Sequence, residues 1–313
     1  MRHAAILAAL GAATLAAAAC GSSSSSSSTS SGGAGAGGSG SSSAGSASAA
    51  TTATQVAGIA AEVPAAIKSK GTLVVASDAT YGPDEYIDTD GKTVIGWDAD
   101  LIKAVAQVLG LQVDIQNQTF DSIIPGLSSG KFDLGVSSFT DSKEREKTVD
   151  FVTYFRAGTS FFVKASGGPT INTLADLCGH HVSVEKGTTE QTDATDQSKK
   201  CTDAGKAAVD VQVYPDQNAT NLALSSGRAE VSMADSPVAG YQVKQSNGQF
   251  ALTGQSYGIV PYGIAIPKGS GMAQPVLDAV KELMKDGVYT AILTTWGVQA
   301  GAITDSQING AVS

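Results

Sequence analysis

The chain has 313 residues, a formal net charge of −9 at pH 7, 42% hydrophobic residues and 16% charged residues. An acidic surface repels the phosphate backbone of nucleic acid, and no cluster of Lys and Arg offsets this, so a nucleic-acid partner is excluded. A change of composition near residue 70 leaves roughly 240 residues for folded structure, enough for one large or two ordinary domains.

Residues 1–19 have the layout of an export signal, because Arg2 and His3 precede an apolar run. This run is too short for a membrane span, and its side chains are mostly too small. Small residues then precede Cys20, as in a bacterial lipobox, although leucine is more usual at the position of Ala17. We predict a lipoprotein signal and lipidation of Cys20. The alternative is an ordinary signal peptide with a chance cysteine.

Residues 20–60 consist mainly of Gly, Ser, Ala and Thr and carry no charge. Such a composition predicts a disordered tether. No later segment approaches the ~20 apolar residues that a membrane span requires. We therefore expect attachment to the outer face of the cell membrane through a lipid anchor only.

From residue 72 onward, strand and helix patterns alternate. The one-sided apolar pattern of residues 98–110 predicts a helix with Asp98 as N-cap and Gly110 as its stop. In chain order, the other elements predicted in the first half are a buried strand at 72–77, a strand at 111–116, a short helix at 121–130, a strand at 132–136, and extended segments at 151–155 and 159–164.

A second set of units follows, with crossings between the two sets near 155–158 and 257–262. Strands are predicted at 181–187, 209–215, 229–235 and 262–266, and helices at 173–177, 189–200, 218–227, 236–246, 274–285 and 288–296. This order predicts an α/β protein with two lobes. We assign lobe 1 to residues 72–156 plus 262–302, lobe 2 to residues 157–261, and a C-terminal tail to residues 303–313.

Arg145 lies in a polar turn just after Ser137, Ser138 and Thr140. A guanidinium presents a rigid fork of donors that matches a carboxylate, and hydroxyl and amide groups at the end of the preceding strand can face the same anion. This combination predicts a carboxylate receptor. A solvated surface turn is the alternative.

Cys178 and Cys201 are the cysteines that follow Cys20. In an exported protein such a pair favours a disulfide over a metal site. Two free thiols, or a site shared with His180 and His181, remain as alternatives.

Several strand-to-helix junctions carry candidate ligand-binding residues, since ligands bind at strand ends in open α/β sheets. Asp78, Tyr81 and Phe120 lie at such junctions in the first half, where a polar loop or core packing would also explain them. Thr188 and Thr189 follow Gly187 at the start of a helix that offers backbone N–H groups to an anion. Asp235 could meet an ammonium group or act as a helix N-cap.

Together these segments resemble the bacterial extracellular solute-binding proteins that deliver polar amino acids to ATP-driven importers. The resemblance runs from about Thr72 to Ala302. The residues that carry it are ASDATYGPDEY, VIGWDADLIKAVAQVLG, the block from FDSIIPGL to VDFVTYF, VEKGTT, the AD of MADSP, and YGIAIPKG. It implies a type 2 periplasmic-binding-protein fold with a hinge and an interlobe ligand cleft. It also implies an ABC-transporter permease as partner, a monomeric state and no cofactor or metal.

The resemblance also implies roles for individual residues. Arg145 would bind the ligand α-carboxylate together with donors from Ser138, Thr140 and Thr189, and Asp235 would take the α-ammonium. Tyr81 and Phe120 would flank the ligand side chain, with Asp78 at the pocket rim.

Two positions depart from the family pattern. Asp141 stands where an apolar residue is common. Glu185 stands where members vary the residue that meets the ligand side chain, and an acid there could favour a basic or amide-bearing ligand. A solvated strand residue is the alternative for Glu185.

Two other function classes are compatible with this fold. An enzyme such as a dehydratase is one, but the sequence offers no serine, cysteine or carboxylate motif directed at its two histidines. A sensor domain of a membrane receptor is the other, and it would need a membrane span after Trp296. A non-enzymatic receptor that closes around an amino acid is therefore the leading hypothesis.

Overall fold

A computed structural model describes residues 52–312 of the protein. In that range the helices are α1 (Ala57–Glu62), α2 (Ala65–Lys70), α3 (Trp97–Leu109), α4 (Phe120–Ser128), α5 (Thr189–Asp203), α6 (Gln217–Ser226), α7 (Ser236–Gln245), α8 (Ala273–Lys285) and α9 (Val288–Trp296). The strands are β1 (Thr72–Ser77), β2 (Thr80–Tyr81), β3 (Glu85–Ile87), β4 (Val94–Ile95), β5 (Gln112–Asn117), β6 (Leu134–Gly135), β7 (Val149–Lys164), β8 (His181–Glu185), β9 (Asp210–Tyr214), β10 (Val231–Asp235) and β11 (Phe250–Pro267). The predicted export signal, Cys20 and most of the predicted tether lie outside the described residues.

The main sheet has eight strands in the order β5-β1-β6-β11-β7-β10-β8-β9. Pairing is parallel on both flanks, where helices make the crossovers, and antiparallel at the centre, where β11 pairs with β6 and β7. This alternation confirms the predicted α/β class. A separate three-stranded sheet, β2-β3-β4, was not predicted.

The two central strands, β7 and β11, connect the two flanks of the sheet. The extended segments predicted at 151–155 and 159–164 belong to one continuous strand, β7. β7 pairs with β11 from Val149 to Lys164, and the register shifts between Thr253 and Tyr257, between Tyr257 and Val260, and after Tyr262. These irregularities coincide with the predicted crossing at 257–262. Bulged strands bend more readily than regular ladders, so the geometry is that of a strand hinge.

Of the four hydrophobic clusters in the described residues, two lie on opposite sides of these strands, and a third, which includes Phe120 and Val238, draws on both sides. One is built around α3, α8 and α9, where Trp97 is fully buried and its ring lies 4.5 Å from that of Phe155. The other is built around β8, β10 and α5, with Val182, Val184 and Met233 at its centre. Each flank of the sheet therefore has its own packed interior, as two lobes require.

The second core contains a disulfide between Cys178 and Cys201, which confirms the predicted pairing over free thiols. Its Cα atoms lie 5.6 Å apart. His180 and His181 face Glu230 and Asp210 instead of the sulfur atoms. Within residues 52–312 no group of His, Cys, Asp and Glu side chains could hold a metal ion.

The structure differs from the sequence prediction at two positions near the N-terminal side of the fold. The predicted tether extends to residue 60, but α1 already begins at Ala57, because Val56 N–H donates to the Val108 carbonyl at 3.1 Å and Ala53 is buried. Asp98 was predicted to cap α3, but Gly96 is the N-cap and the Asp98 side chain is buried.

In the described part of the chain, none of the helices is both long enough and apolar enough to cross a lipid bilayer.

Candidate functional site

A cavity lies between the two flanks of the sheet, at the carboxyl ends of several strands. All of the predicted ligand-binding residues except Asp78 line it. The complete lining consists of Tyr81, Phe120, Ser138, Thr140, Arg145, Glu185, Thr188, Thr189, Glu190, Gln217, Met233, Ala234, Asp235 and Val238. The structure therefore brings together side chains from distant parts of the sequence, as the strand-end rule predicts.

Arg145 occupies the 3-10 turn Arg145–Lys147, directly before β7. Its Nη1 donates to the Thr140 carbonyl at 2.9 Å and its Nη2 to the Gly187 carbonyl at 3.1 Å. The guanidinium also lies over the ring of Phe120, 5.2 Å from the centroid. A guanidinium has five N–H donors, so three remain for an anion in the cavity. Its plane is fixed by these contacts.

The two sides of the cavity touch beside Arg145. Lys186 Nζ lies 2.8 Å from the Asp121 carboxylate, which belongs to the opposite side. Gly187 has φ +82°, and a Cβ there would lie 3.0 Å from the Asp121 Cβ. Only glycine combines this backbone conformation with so close an approach. The GTT motif thus closes one edge of the cavity.

The three threonines of the site use their polar atoms differently. Thr188 caps α5, since its Oγ1 accepts from the Gln191 N–H at 3.2 Å and donates to the Glu185 carbonyl at 2.8 Å. The Thr189 hydroxyl donates to Glu190 at 3.2 Å. The N–H groups of the first turn of a helix have no intrahelical partner, so those of Thr189 and Glu190 remain available to an anion near Arg145, whereas that of Gln191 is taken by the Thr188 cap. Thr140 contributes its carbonyl to Arg145.

Ser138 lines the cavity, but its donors are directed away from it. Its N–H donates to Asp98 Oδ2 at 3.1 Å, and its hydroxyl donates to Asp84 Oδ2 at 2.8 Å. Its φ of +49° is uncommon for a residue with a side chain. Without a ligand, both donors of Ser138 are therefore engaged inside the protein. Donation from Ser138 to a ligand carboxylate stays a prediction.

Behind Ser138 lies a cluster of three buried carboxyl groups, Asp84, Glu85 and Asp98. Burial and mutual repulsion raise the pKa of Asp84 and Glu85 well above the usual range, and burial raises the pKa of Asp98 to about 7. Trp97 Nε1 and the Tyr154 hydroxyl donate to members of the cluster. The cluster consequently retains protons in the folded state.

These raised pKa values predict how the stability of the ligand-free protein depends on pH. An acid with a higher pKa in the folded than in the unfolded state binds more protons when folded, so its stabilisation is lost as pH rises above about 4.5. We expect the free energy of unfolding to fall between pH 5 and pH 8. In Glu85→Gln the slope should be shallower, measured by urea unfolding at several pH values.

The exposed Glu144 provides the matched control for this measurement, because its side chain is 81% exposed and contacts Lys147 only. Glu144→Gln should leave the slope unchanged. An unchanged slope in Glu85→Gln would contradict the proton-holding cluster.

Asp235 and Glu190 form the acidic part of the cavity near Arg145. Asp235 is the N-cap residue of α7, but its side chain makes no capping hydrogen bond, which argues against the capping alternative. Burial and the neighbouring Glu190 raise the pKa of Asp235 well above its usual range. Glu190 is 4% exposed, and its Oε1 accepts from Thr159 at 2.6 Å. Two carboxyl groups in this position favour a cationic group between them.

Glu185 marks a second acidic region of the cavity. It is 1% exposed, so the solvated-strand alternative is wrong. Among the described residues neither carboxyl oxygen nor the Tyr81 hydroxyl has a hydrogen-bond partner of normal geometry, although the Tyr81 and Asp78 side chains lie close to the Glu185 carboxyl group. Burial and the adjacent Asp78 raise the pKa of Glu185 to about 10. Unpartnered buried polar atoms are costly, so this arrangement is suited to a donor-rich ligand group.

Asp78 lies behind this region and does not line the cavity. It is buried, and its carboxylate accepts from the Phe120 N–H at 2.9 Å and from Thr80 Oγ1 at 2.7 Å. Burial raises its pKa to about 6. Asp78 therefore holds the start of α4. The rings of Phe120 and Tyr81 pack edge to face at 5.9 Å and form an apolar wall.

Sequence reasoning missed five lining residues: Glu190, Gln217, Met233, Ala234 and Val238. Gln217 begins α6 directly after β9, so the strand-to-helix rule would have identified it. Glu190 follows Thr189 in the first turn of α5, where an acid is usual for dipole reasons alone. The three apolar residues are indistinguishable from core positions in the sequence.

Comparison with known proteins agrees with this arrangement. Residues 73–299 match the family described as bacterial extracellular solute-binding proteins, family 3. The arginine-binding protein ArgT of Corynebacterium glutamicum is 32% identical over 255 residues, which cover 81% of this chain and 83% of ArgT. The L-cystine-binding protein TcyJ of Escherichia coli K12 is 30% identical over 74% of this chain and 84% of TcyJ.

Among solved structures, an ancestral arginine-binding protein bound to arginine superposes with a TM-score of 0.67. It is 38% identical in sequence, and the match covers 72% of this chain and 98% of the ancestral protein. The two-lobed type 2 fold expected from the sequence is thereby confirmed.

Proposed function

The chain belongs to the bacterial extracellular solute-binding proteins of family 3, and on that premise we propose that it is the substrate-binding component of an ABC importer for a cationic amino acid, with L-arginine as the preferred ligand. The names of its relatives support binding of a polar amino acid for transport. The narrower choice of a cationic ligand depends on Glu185.

The observation that carries the proposal is the environment of Glu185. Its two carboxyl oxygens are buried, lie beside the Tyr81 hydroxyl and the Asp78 carboxyl group, and have no hydrogen-bond partner of normal geometry in the described part of the chain. A guanidinium supplies a planar fork of N–H donors that pairs with a carboxylate and stacks on aromatic rings such as those of Tyr81 and Phe120. A neutral side chain would leave part of this acceptor capacity unused.

The remaining charges of the cavity support the same choice. Its lining contains one guanidinium, Arg145, and three carboxyl groups, Glu185, Glu190 and Asp235. The α-carboxylate of a ligand would bind Arg145 and the N–H groups at the start of α5, and the α-ammonium would bind Asp235 and Glu190. This leaves Glu185 without a partner among the termini of the ligand, and a ligand with one additional positive charge would pair with it once its carboxyl group has released its proton.

We propose that binding closes the two lobes by bending β7 and β11, with the hinge at 155–158 and 257–262. The lobes in this proposal are residues 72–156 plus 262–302 and residues 157–261. Support comes from the register shifts in β11 and from the Lys186–Asp121 contact across the cavity. A monomer in the closed form would then dock on its permease.

The lining of the cavity favours a binding protein over an enzyme. Among the described residues that line it there is neither a histidine nor a cysteine, and His180 and His181 belong to the far end of β8. The charged groups present instead match the termini of an amino acid.

Calorimetry against arginine, lysine, ornithine, histidine, glutamine and cystine tests the proposal. We expect arginine to bind most tightly, by about tenfold or more over glutamine and cystine, as one or two selective polar contacts allow. Binding of no amino acid would overturn the transport function. Preference for a neutral amino acid would overturn only the assignment of Glu185.

We also propose that Cys20 anchors the protein to the cell membrane through a lipid, which the small residues before it and the Gly/Ser-rich segment after it support. Cys20→Ser should shift the protein from the membrane fraction to the medium, measured by fractionation and immunoblotting. An unchanged distribution would contradict the anchor.

A further inference from the structure

The last described residues of the chain, 303–312, return along the free edge of β7. Ile308 pairs with Val152 in an antiparallel bridge, and the Thr153 N–H donates to the Gln307 carbonyl at 3.0 Å. The Ser306 hydroxyl donates to the Thr153 carbonyl at 2.5 Å, and Ser306 is fully buried. We call this segment the strap. β10 pairs with β7 only from Thr159 of β7 onward, and the strap covers the same edge of β7 before that point. It lies beyond the part of the chain that matches the family.

The end of the strap contacts both sides of the turn that carries Arg145. Gly310 N–H donates to Asp141 Oδ2 at 2.7 Å, and Ala311 N–H donates to Glu146 Oε1 at 3.2 Å. Asp141 precedes Arg145 and Glu146 follows it. Hydrogen bonds to charged acceptors are among the stronger ones in proteins. The turn is therefore held from outside the cavity at two points.

The local geometry of the strap is specific. Asn309 has φ +55°, its Oδ1 accepts from the Phe151 N–H at 2.9 Å, and its Nδ2 donates to Asp150 at 3.0 Å. A Cβ at Gly310 would lie 2.8 Å from the Thr153 Cγ2. Asp141 is fully buried beside Glu146, and among the described residues its Oδ1 has no hydrogen-bond partner of normal geometry, whereas Gly310 N–H supplies a hydrogen bond to its Oδ2. Loss of the strap would leave the Asp141 carboxyl group without it.

From this placement we propose that the strap, residues 303–312, positions the Arg145 guanidinium for the ligand carboxylate, and that Asp141 and Glu146 are positioning residues acting through Arg145. The inference depends on the proposed function only in using an amino acid as the probe. Arg145 itself is held by two backbone carbonyls, and one of them, that of Thr140, immediately precedes Asp141. A shift of Asp141 moves that carbonyl and with it the guanidinium.

A double-mutant cycle with arginine as the probe tests this inference. Deletion of residues 303–312, or Asp141→Ala in full-length protein, should weaken binding about tenfold, within the range of coupled neighbouring residues. In the Arg145→Lys background the same changes should have little further effect, because their influence passes through the guanidinium. Asp141→Asn retains an acceptor for Gly310 and should restore most of the affinity.

Two controls separate positioning from general destabilisation. Asp305→Asn alters the strap only at its exposed contact with Lys281, and Glu144→Gln alters the turn only at an exposed side chain. Neither should change the affinity. Equal losses of affinity in the wild-type and Arg145→Lys backgrounds, or unchanged affinity in Asp141→Ala, would overturn the proposal. If the deletion variant does not fold, Asp141→Ala and Asp141→Asn decide the outcome. Failure of the wild type to bind any amino acid would instead overturn the proposed function.

Discussion

Replacement of Arg145 by alanine is expected to lower the affinity for arginine by at least about a hundredfold, since truncating one partner of a desolvated charge pair typically costs 2–5 kcal/mol. After its hydrogen bonds to the Thr140 and Gly187 carbonyls, the guanidinium has three N–H donors left. Arg145 also supplies the positive charge among the residues that line the cavity. Calorimetry on the purified variant measures the loss.

Agmatine, which is arginine without its carboxylate, separates the two possible causes of that loss. If Arg145 binds the carboxylate, agmatine should bind the wild type weakly and the Arg145→Ala variant about equally. If Arg145 acts only by bridging the two sides of the cavity, the affinity for agmatine should fall in parallel with that for arginine. Arg228, which is exposed on the second lobe and lies over Tyr214, provides the matched arginine-to-alanine control.

Glu185→Gln is expected to lower the affinity for arginine by about 30- to 1,000-fold and to leave the affinity for glutamine unchanged or higher. The magnitude corresponds to the loss of a buried, charge-assisted contact worth about 2–4 kcal/mol. The substitution preserves the shape of the side chain and removes its capacity for charge. Loss of affinity for both ligands in equal measure would contradict a role of Glu185 in selectivity, and Glu144→Gln is the exposed control.

Glu185 also predicts proton release on binding. With a pKa of about 10 it is protonated at pH 7 in the ligand-free protein, and a guanidinium beside it favours the ionised form. Arginine binding should release about one proton more in the wild type than in Glu185→Gln, measured by calorimetry in buffers of different ionisation enthalpy. The affinity of the wild type should accordingly rise from pH 6.5 to pH 8.5. Equal proton release in both proteins would rule out this coupling.

Most of the fold could be predicted from the sequence because its elements have strong, well-bounded patterns. β1 and α9 begin and end where the apolar runs do, and Gly110 follows α3 as the predicted stop. The small sheet β2-β3-β4 was missed because its strands have two or three residues, too few to show a period. The strap was missed because its sequence is mostly polar and does not show the spacing of apolar residues that is typical of a helix or a strand.

Arg145 and Asp235 could be predicted because the α-carboxylate and α-ammonium groups of an amino acid require opposite charges, and such charges stand at strand ends in the sequence. The candidate site was not predictable where tertiary structure decides which way a side chain points. Ser138 is an example, because it was predicted to donate to the ligand. In the structure its N–H donates to Asp98 and its hydroxyl donates to Asp84, with Glu85 beside them. Glu185 sits on a short strand whose two faces are both buried, so alternation gave no indication of its direction.

The pairing of β7 with β11 has a consequence for the order in which the protein folds. In the second lobe β8 and β9 pair across a short sequence separation, as His181 does with Asp210, whereas β10 and β11 reach back to β7. The first lobe is completed only when β11 returns to β6 and β7, as in the pairs Ala265–Gly135 and Tyr262–Phe155, which are distant in sequence and therefore slow to form. The two halves of the cavity face each other only when these pairs are present. A ligand that contacts both halves therefore stabilises the assembled protein and neither half alone.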